Sequence, residues 1–224
     1  MRKLAATFGL GFCLLAPLPA FAAPGMAPLA DYLIPRDAEI ALARSAAPPS
    51  ISAKATVLVL GPHGYETAAS GTNGFTCVVE RAWESPFGDP GFWNPRIRGP
   101  ICFNAEAVRT VWPAHSERTD WALAGLGMDQ MHDRARTSKL VNTSPAPGAM
   151  CFMMSKDGYL SDAGKHWHPH LMFFLPAKGV ASWGADLAGS PVVSNLGNPE
   201  PVMTYMVLVP KWSDGSPAME MAHA

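Results

Sequence analysis

Apolar residues in this chain gather in runs of strand length, each bounded by glycine, proline or a turn pair. Residues 55–60 (ATVLVL) stop at Gly61-Pro62, and residues 75–81 (FTCVVER) follow the pair Asn73-Gly74. Residues 149–154 (AMCFMM), 166–175 (HWHPHLMFFL) and 202–209 (VMTYMVLV) are further runs of the same kind. Short runs rich in β-branched and aromatic residues read as strands, and Asn-Gly is a preferred turn pair. Residues 64–69 supply a hairpin partner for the first run.

Helical patterning is confined to two places. Asp37 can cap a helix through Ala46, which Pro48-Pro49 stops. Asn104 can cap a short helix to Val111, ended by Pro113. Asp120 can start a longer one to about Arg136, on which Trp121, Ala124, Met128, Met131 and Ala135 share a face, with Gly125 and Gly127 as weak points. Strands with short connections and clustered helices predict an α+β fold: a single domain with a mainly antiparallel sheet and two or three helices. Between residues 83 and 100, prolines and glycines alternate with Trp83, Phe87, Phe92 and Trp93. Flexible linkers do not carry four large rings, so this segment is expected to be a long ordered loop held by aromatic packing.

The first 22 residues have the three parts of a secretory signal peptide. Arg2 and Lys3 are a positive start, residues 4–18 are apolar, and Ala20-Phe21-Ala22 is a cleavage site of small-x-small type. The expected organisation is a signal peptide at 1–22, a loose leader at 23–36, a globular domain at 37–217 and a flexible tail at 218–224. No later run reaches the length of a spanning helix, so no transmembrane segment is expected in the mature chain. The style of the signal predicts secretion to a bacterial periplasm or the exterior, both permissive for disulfides. A charged fraction of 16% and a formal net charge of −1 argue against a nucleic-acid partner, which would call for a concentrated basic surface.

Cys77, Cys102 and Cys151 follow the signal, and any single bridge leaves one thiol over. A Cys77–Cys102 disulfide is the favoured pairing because it closes the aromatic loop; a loop of that length contributes about 3.5 kcal/mol in chain entropy. Cys151 then lies free in an apolar run, where cysteine ordinarily acts as a small buried hydrophobe, with a soft metal ligand as the functional alternative.

His166, His168 and His170 alternate along a strand-like run, so their imidazoles would share a face. Imidazole suits transition metals such as Zn or Cu, and two of these rings plus a remote group such as His63, His115, His132, Cys151 or an acid could hold an ion. The methionines around these segments (Met150, Met153, Met154, Met172) add soft-ligand character but ordinarily fill core gaps. Ser155-Lys156 and the loop group His63, Tyr65 and Glu66 are weaker acid/base candidates. No phosphate-binding glycine loop and no G-x-S-x-G elbow is present.

The runs Gly71-Thr72-Asn73-Gly74-Phe75-Thr76-Cys77, Pro100-Ile101-Cys102 and His168-Pro169-His170-Leu171-Met172-Phe173-Phe174 resemble an uncharacterised family of exported bacterial proteins, over roughly residues 37 to 216. The short motifs alone also resemble a second bacterial group with a TNGFTC run, a later Pro-x-Cys and a Pro-His-hydrophobic-Met strand. The resemblance implies that Cys77, Cys102 and His170 are shared positions, and it supports export and topology without carrying an activity. The leading expectation is therefore a periplasmic metal- or small-ligand-binding protein using the His166/His168/His170 strand. The alternatives are an envelope enzyme, hydrolase-like, with His168 or His170 as general base, and a non-catalytic envelope structural or binding protein.

Overall fold

The computed structural model describes residues 23, 25–160, 168–177, 182–194 and 202–218. The helices are α1 (Arg36–Arg44), α2 (Pro49–Ser52), α3 (Ala105–Thr110), α4 (Trp112–Leu123) and α5 (Met128–Ala135). The strands are β1 (Thr56–Gly61), β2 (Gly64–Ala69), β3 (Thr76–Glu80), β4 (Gly99–Phe103), β5 (Met150–Met153), β6 (His170–Pro176), β7 (Val192–Ser194) and β8 (Val202–Leu208). They form one eight-stranded sheet in the order β2-β1-β3-β4-β5-β6-β8-β7. Every pairing is antiparallel except β1 with β3. The α+β expectation is met by a single domain, with five helices among the described residues instead of two or three.

The extra helices have local causes. Pro113, expected only as a terminator, sits in the first turn of α4, where its missing N–H costs nothing. The single helix expected from Asp120 to Arg136 is divided because Gly125 adopts a positive φ of 79° and Gly127 becomes the cap of α5. Asn104 caps α3 as expected: its Oδ1 accepts from the backbone N–H of Ala107 at 3.0 Å and from that of Met150 at 3.1 Å.

Strand alternation sorts the core onto two faces of the sheet. Val57, Cys77, Val79 and Cys102 pack beneath α1, together with Ala43 and Ala46. Val78, Ile101, Phe103, Cys151, Met153 and Phe174 point to the opposite face, beneath Ala107 and Val111. Glu80 follows Val78 by two residues at the end of β3, so the same alternation aims it beneath the α3–α4 layer. Cys77 and Cys102 are direct cross-strand partners on β3 and β4, with Cα atoms 4.0 Å apart, and they form the disulfide.

The segment between β3 and β4 is held by its rings. Trp83 and Phe92 are buried, Phe87 stacks on Phe92 at 5.7 Å, and Phe92 meets Trp93 edge-on at 4.8 Å. The leader expected to be loose is packed against this loop. Tyr32 is fully buried, its hydroxyl donates to the carbonyl of Trp93 at 2.6 Å, and its ring lies 4.9 Å from Trp83. A large ring with a polar tip gains both burial and a hydrogen bond here, which anchors residues that show no periodicity of their own. In the tail region, residues 219–224 lie outside the described residues.

Candidate functional site

The expected histidine strand is only partly a strand. β6 begins at His170, so the alternation assumed for residues 166–170 does not extend back through His168, and His166 lies outside the described residues. His170 is buried, and its Nδ1 lies 2.8 Å from the carbonyl oxygen of His168. Burial lowers the tendency of its ring to take a proton. Cys151 is fully buried on β5 between Phe103 of β4 and Met172 of β6, and burial pushes its thiol well above the ordinary range. Among the described residues, no group of three or more His, Cys, Asp or Glu is arranged to hold a metal ion.

The weaker candidates are dispersed. The Tyr65 hydroxyl donates to the carbonyl of Val79 at 2.9 Å, while Glu66 pairs with Arg36 at the surface. Ser155 Oγ lies 2.6 Å from Ser45 Oγ, whereas Lys156 reaches Asp214. The His132 ring rests 5.0 Å from that of Phe87.

What the fold does assemble is a charged cluster at one end of an apolar cavity of about 160 Å³. Glu80 closes β3, Glu84 ends the 3-10 turn Ala82–Glu84, and His115 and Arg118 lie one turn apart on α4. His115 Nδ1 lies 2.7 Å from Glu80 Oε1 and 3.3 Å from Glu84 Oε2; Arg118 Nε lies 3.9 Å from the same Glu84 oxygen. The side chains of Glu84 and Arg118 are only 5% and 6% exposed, against 12% for Glu80 and 23% for His115. All four line the cavity, with Glu84 and Arg118 the more deeply buried and Glu80 and His115 the more exposed.

Each member is positioned by a specific neighbour. The indole N–H of Trp83 donates to Thr119 Oγ1 at 2.9 Å, and that hydroxyl donates to Glu84 Oε1 at 3.3 Å, tying the 3-10 turn to α4. Arg118 donates to the carbonyl of Ser85 at 2.6 Å, with its guanidinium 4.4 Å from the centre of the Phe87 ring. Phe103 meets the His115 ring edge-on at 5.5 Å.

Electrostatics follow from this geometry. Burial opposes a charge on His115, but Glu80 and Glu84 together outweigh it and hold the imidazole well above its usual range. Burial also raises Glu84, against the opposing pull of His115 and Arg118. Glu80 Oε1, Glu84 Oε2 and His115 Nδ1 are buried and make no well-aligned hydrogen bond. The imidazole attracts both carboxylates, which repel each other, and none of the three atoms is fully satisfied.

Beyond the cluster the cavity is mostly apolar, interrupted by Thr110, Thr143 and Thr204. Val111 and Ala114 line it from the helical side, and Met172, Phe174, Val202 and Met206 line it from β6 and β8. Sheet register puts Met172 beside Met206 and Phe174 beside Thr204, so one face of this strand pair makes a continuous wall. The strand expected to supply imidazoles therefore supplies its Met172 and Phe174 instead. A second concavity, of about 790 Å³, lies over Phe92, Trp93, Met128 and Leu160, and Asp89 is the one ionisable side chain among its described lining residues.

Of the four charged residues, His115 alone was a sequence candidate. The available signal was the spacing Glu80-x-x-x-Glu84 around Trp83 directly after an apolar strand, in a chain where charge is sparse. The chain matches no family model, no curated protein and no solved structure, so its chemistry is read from this geometry.

Proposed function

We propose that this protein is exported to a bacterial envelope compartment and binds a small, largely apolar molecule between α4 and the β6–β8 wall, with the ligand's polar end against His115. The observation that carries this reading is the Glu80–His115–Glu84 grouping in a mostly apolar cavity. Ligand sites are typically apolar concavities with a few convergent polar groups whose proton affinities are perturbed. The volume of about 160 Å³ is close to that of a cavity known to admit benzene. The Cys77–Cys102 disulfide and the signal-like residues 1–22 support export. No described helix is long and apolar enough to cross a membrane.

The test is methyl NMR of methionine-labelled protein titrated with benzyl alcohol. Saturable shifts at Met172 and Met206, lost in Ala114→Trp, are expected. Absence of shifts at these two methyls in the wild type, or shifts that persist in the blocked variant, would overturn the reading.

A second reading is catalytic, and the 2.7 Å approach of Glu80 Oε1 to His115 Nδ1 favours it. A carboxylate on Nδ1 orients an imidazole and leaves Nε2 to exchange a proton with a bound molecule. On this reading the protein is an envelope hydrolase in which His115 takes the general acid/base role expected for His168 or His170. Hydrolysis of small aryl esters that disappears in His115→Gln would support it; equal rates in the variant would remove it.

A further inference from the structure

We infer that the cavity selects an uncharged, phenol-sized molecule carrying a hydroxyl group, which donates to Glu80 and accepts from His115. The inference rests on the ligand-binding reading and adds the chemistry of the polar end.

Charge balance gives the first argument. Two carboxylates, Glu80 and Glu84, face two cationic groups, His115 and Arg118, within one cluster. A ligand charge of either sign would have no counterpart in an apolar cavity, and an unpaired buried charge is strongly disfavoured. Carboxylate ligands would meet two resident carboxylates, and the cations that could answer them are engaged. Arg118 holds Ser85 and the Phe87 ring, while His115 holds both glutamates through Nδ1.

Directionality gives the second. Glu84 is the least exposed member, its side chain 5% exposed and its Oε2 buried 3.3 Å from His115 Nδ1 without a well-aligned hydrogen bond. All four line the cavity, and Glu80 and His115 are its more exposed members, at 12% and 23% exposure. Glu80 keeps a second carboxylate oxygen, which can only accept. His115, held between two carboxylates at Nδ1, presents Nε2–H, which donates. One ligand atom that both donates and accepts completes this pair, and a hydroxyl oxygen does so.

Size and wall chemistry give the third. The rest of the molecule must fit about 160 Å³, lined mostly by apolar side chains such as Val111, Met172, Phe174 and Met206, with three threonine side chains (Thr110, Thr143 and Thr204) as the uncharged polar groups of the wall. A single six-membered ring with a hydroxyl substituent satisfies both conditions. Thioether and phenyl side chains contact an aromatic ring favourably.

The test compares benzyl alcohol, toluene, benzoate and benzylamine by methionine-methyl NMR on wild type, Glu80→Gln and Ala114→Trp. Benzyl alcohol should bind the wild type about tenfold more tightly than toluene, as a hydrogen bond to a charged group implies. Benzoate and benzylamine should both bind more weakly than benzyl alcohol. Glu80→Gln should bring benzyl alcohol to within about threefold of toluene measured on the same variant. Equal binding of toluene and benzyl alcohol to the wild type overturns the hydroxyl assignment while leaving the cavity standing. Preferential binding of benzoate or benzylamine overturns the neutrality argument. Failure of every probe, with Ala114→Trp indistinguishable from wild type, removes the underlying ligand-binding reading itself.

Discussion

His115 Nδ1 lies 2.7 Å from Glu80 Oε1, across the join between α4 and the end of β3. Glu84 approaches the same nitrogen at 3.3 Å, so one imidazole is held between two carboxylates from a strand end and the turn after it. This arrangement raises the proton affinity of a histidine whose Nδ1 is buried, and it links the ionisation of the site to the stability of the fold.

The linkage has a definite sign. His115 has a folded-state pKa raised above the unfolded value of 6.5, because the two carboxylates outweigh burial. Its stabilising contribution is full below about pH 6.5 and is lost as the pH rises through the folded value. Urea unfolding of the wild type should therefore weaken on the alkaline side of neutrality, and His115→Gln should lose that limb. In imidazole NMR titrations, Glu80→Gln should lower the His115 pKa. An unchanged pKa would mean that the 2.7 Å contact carries no electrostatic weight.

Much of the sheet was legible because β1, β2, β3, β5 and β8 are runs whose residue types and boundaries announce strands. β4 was not, since Gly99 and Pro100 read as loop; its strand identity comes from pairing with β3 on one side and β5 on the other. β7 is three residues long and depends on β8 for its hydrogen bonds. Pro113 looked like a stop because a sequence does not distinguish a proline after one helix from a proline in the first turn of the next.

The charged cluster was hidden for a different reason. Glu80 and Glu84 are separated from His115 and Arg118 by the whole aromatic loop, β4 and α3, and neither pair belongs to a motif. They meet because Trp83 and Thr119 lock the 3-10 turn onto α4. The three alternating histidines drew attention by composition, but His170 spends Nδ1 on a local carbonyl.

The disulfide joins partners that already face each other in the ladder, with 25 residues of separation around the aromatic loop. Its reduction should lower the unfolding free energy by about 3.5 kcal/mol, the chain-entropy value for such a loop. Urea midpoints with and without reductant measure this. In a chain starting at Ala23, the native oxidised protein should titrate no thiol with Ellman's reagent and one after denaturation, because Cys151 is fully buried. A thiol that reacts in the native state would contradict that burial.

Gly71 should tolerate no side chain. A Cβ there would lie 2.1 Å from the backbone nitrogen of Thr56 and 2.3 Å from the carbonyl carbon of Ala55. The neighbours are backbone at the entry to β1, held by Thr72 N–H donating to the Lys54 carbonyl at 2.8 Å, so they cannot swing aside as a side chain could. Gly71→Ala should cost about 3 kcal/mol, the upper part of the overpacking range, and lower the melting temperature by about 10 °C. A melting temperature within a degree or two of wild type would show that the 54–56 backbone yields easily.

The buried pair Arg81–Glu39 should be a strong determinant of stability. Both side chains are fully buried, 2.8 Å apart, on the α1 side of the sheet. Arg81 also donates to the carbonyls of Tyr32 and Val79, and Glu39 Oε1 accepts from the backbone N–H of Leu60. Removing one partner leaves a charge in the core, so Glu39→Leu should destabilise by about 3–5 kcal/mol. The double variant Glu39→Leu/Arg81→Met removes both charges and should recover part of that loss. Recovery stops short of wild type because the Tyr32 carbonyl and the Leu60 N–H each forfeit a buried hydrogen bond, at about 1 kcal/mol apiece, while the Val79 carbonyl keeps the Tyr65 hydroxyl. Urea unfolding of the two single variants and the double variant closes the cycle. Additive losses would show that the two side chains stabilise the fold independently, and that the 2.8 Å contact contributes no coupling.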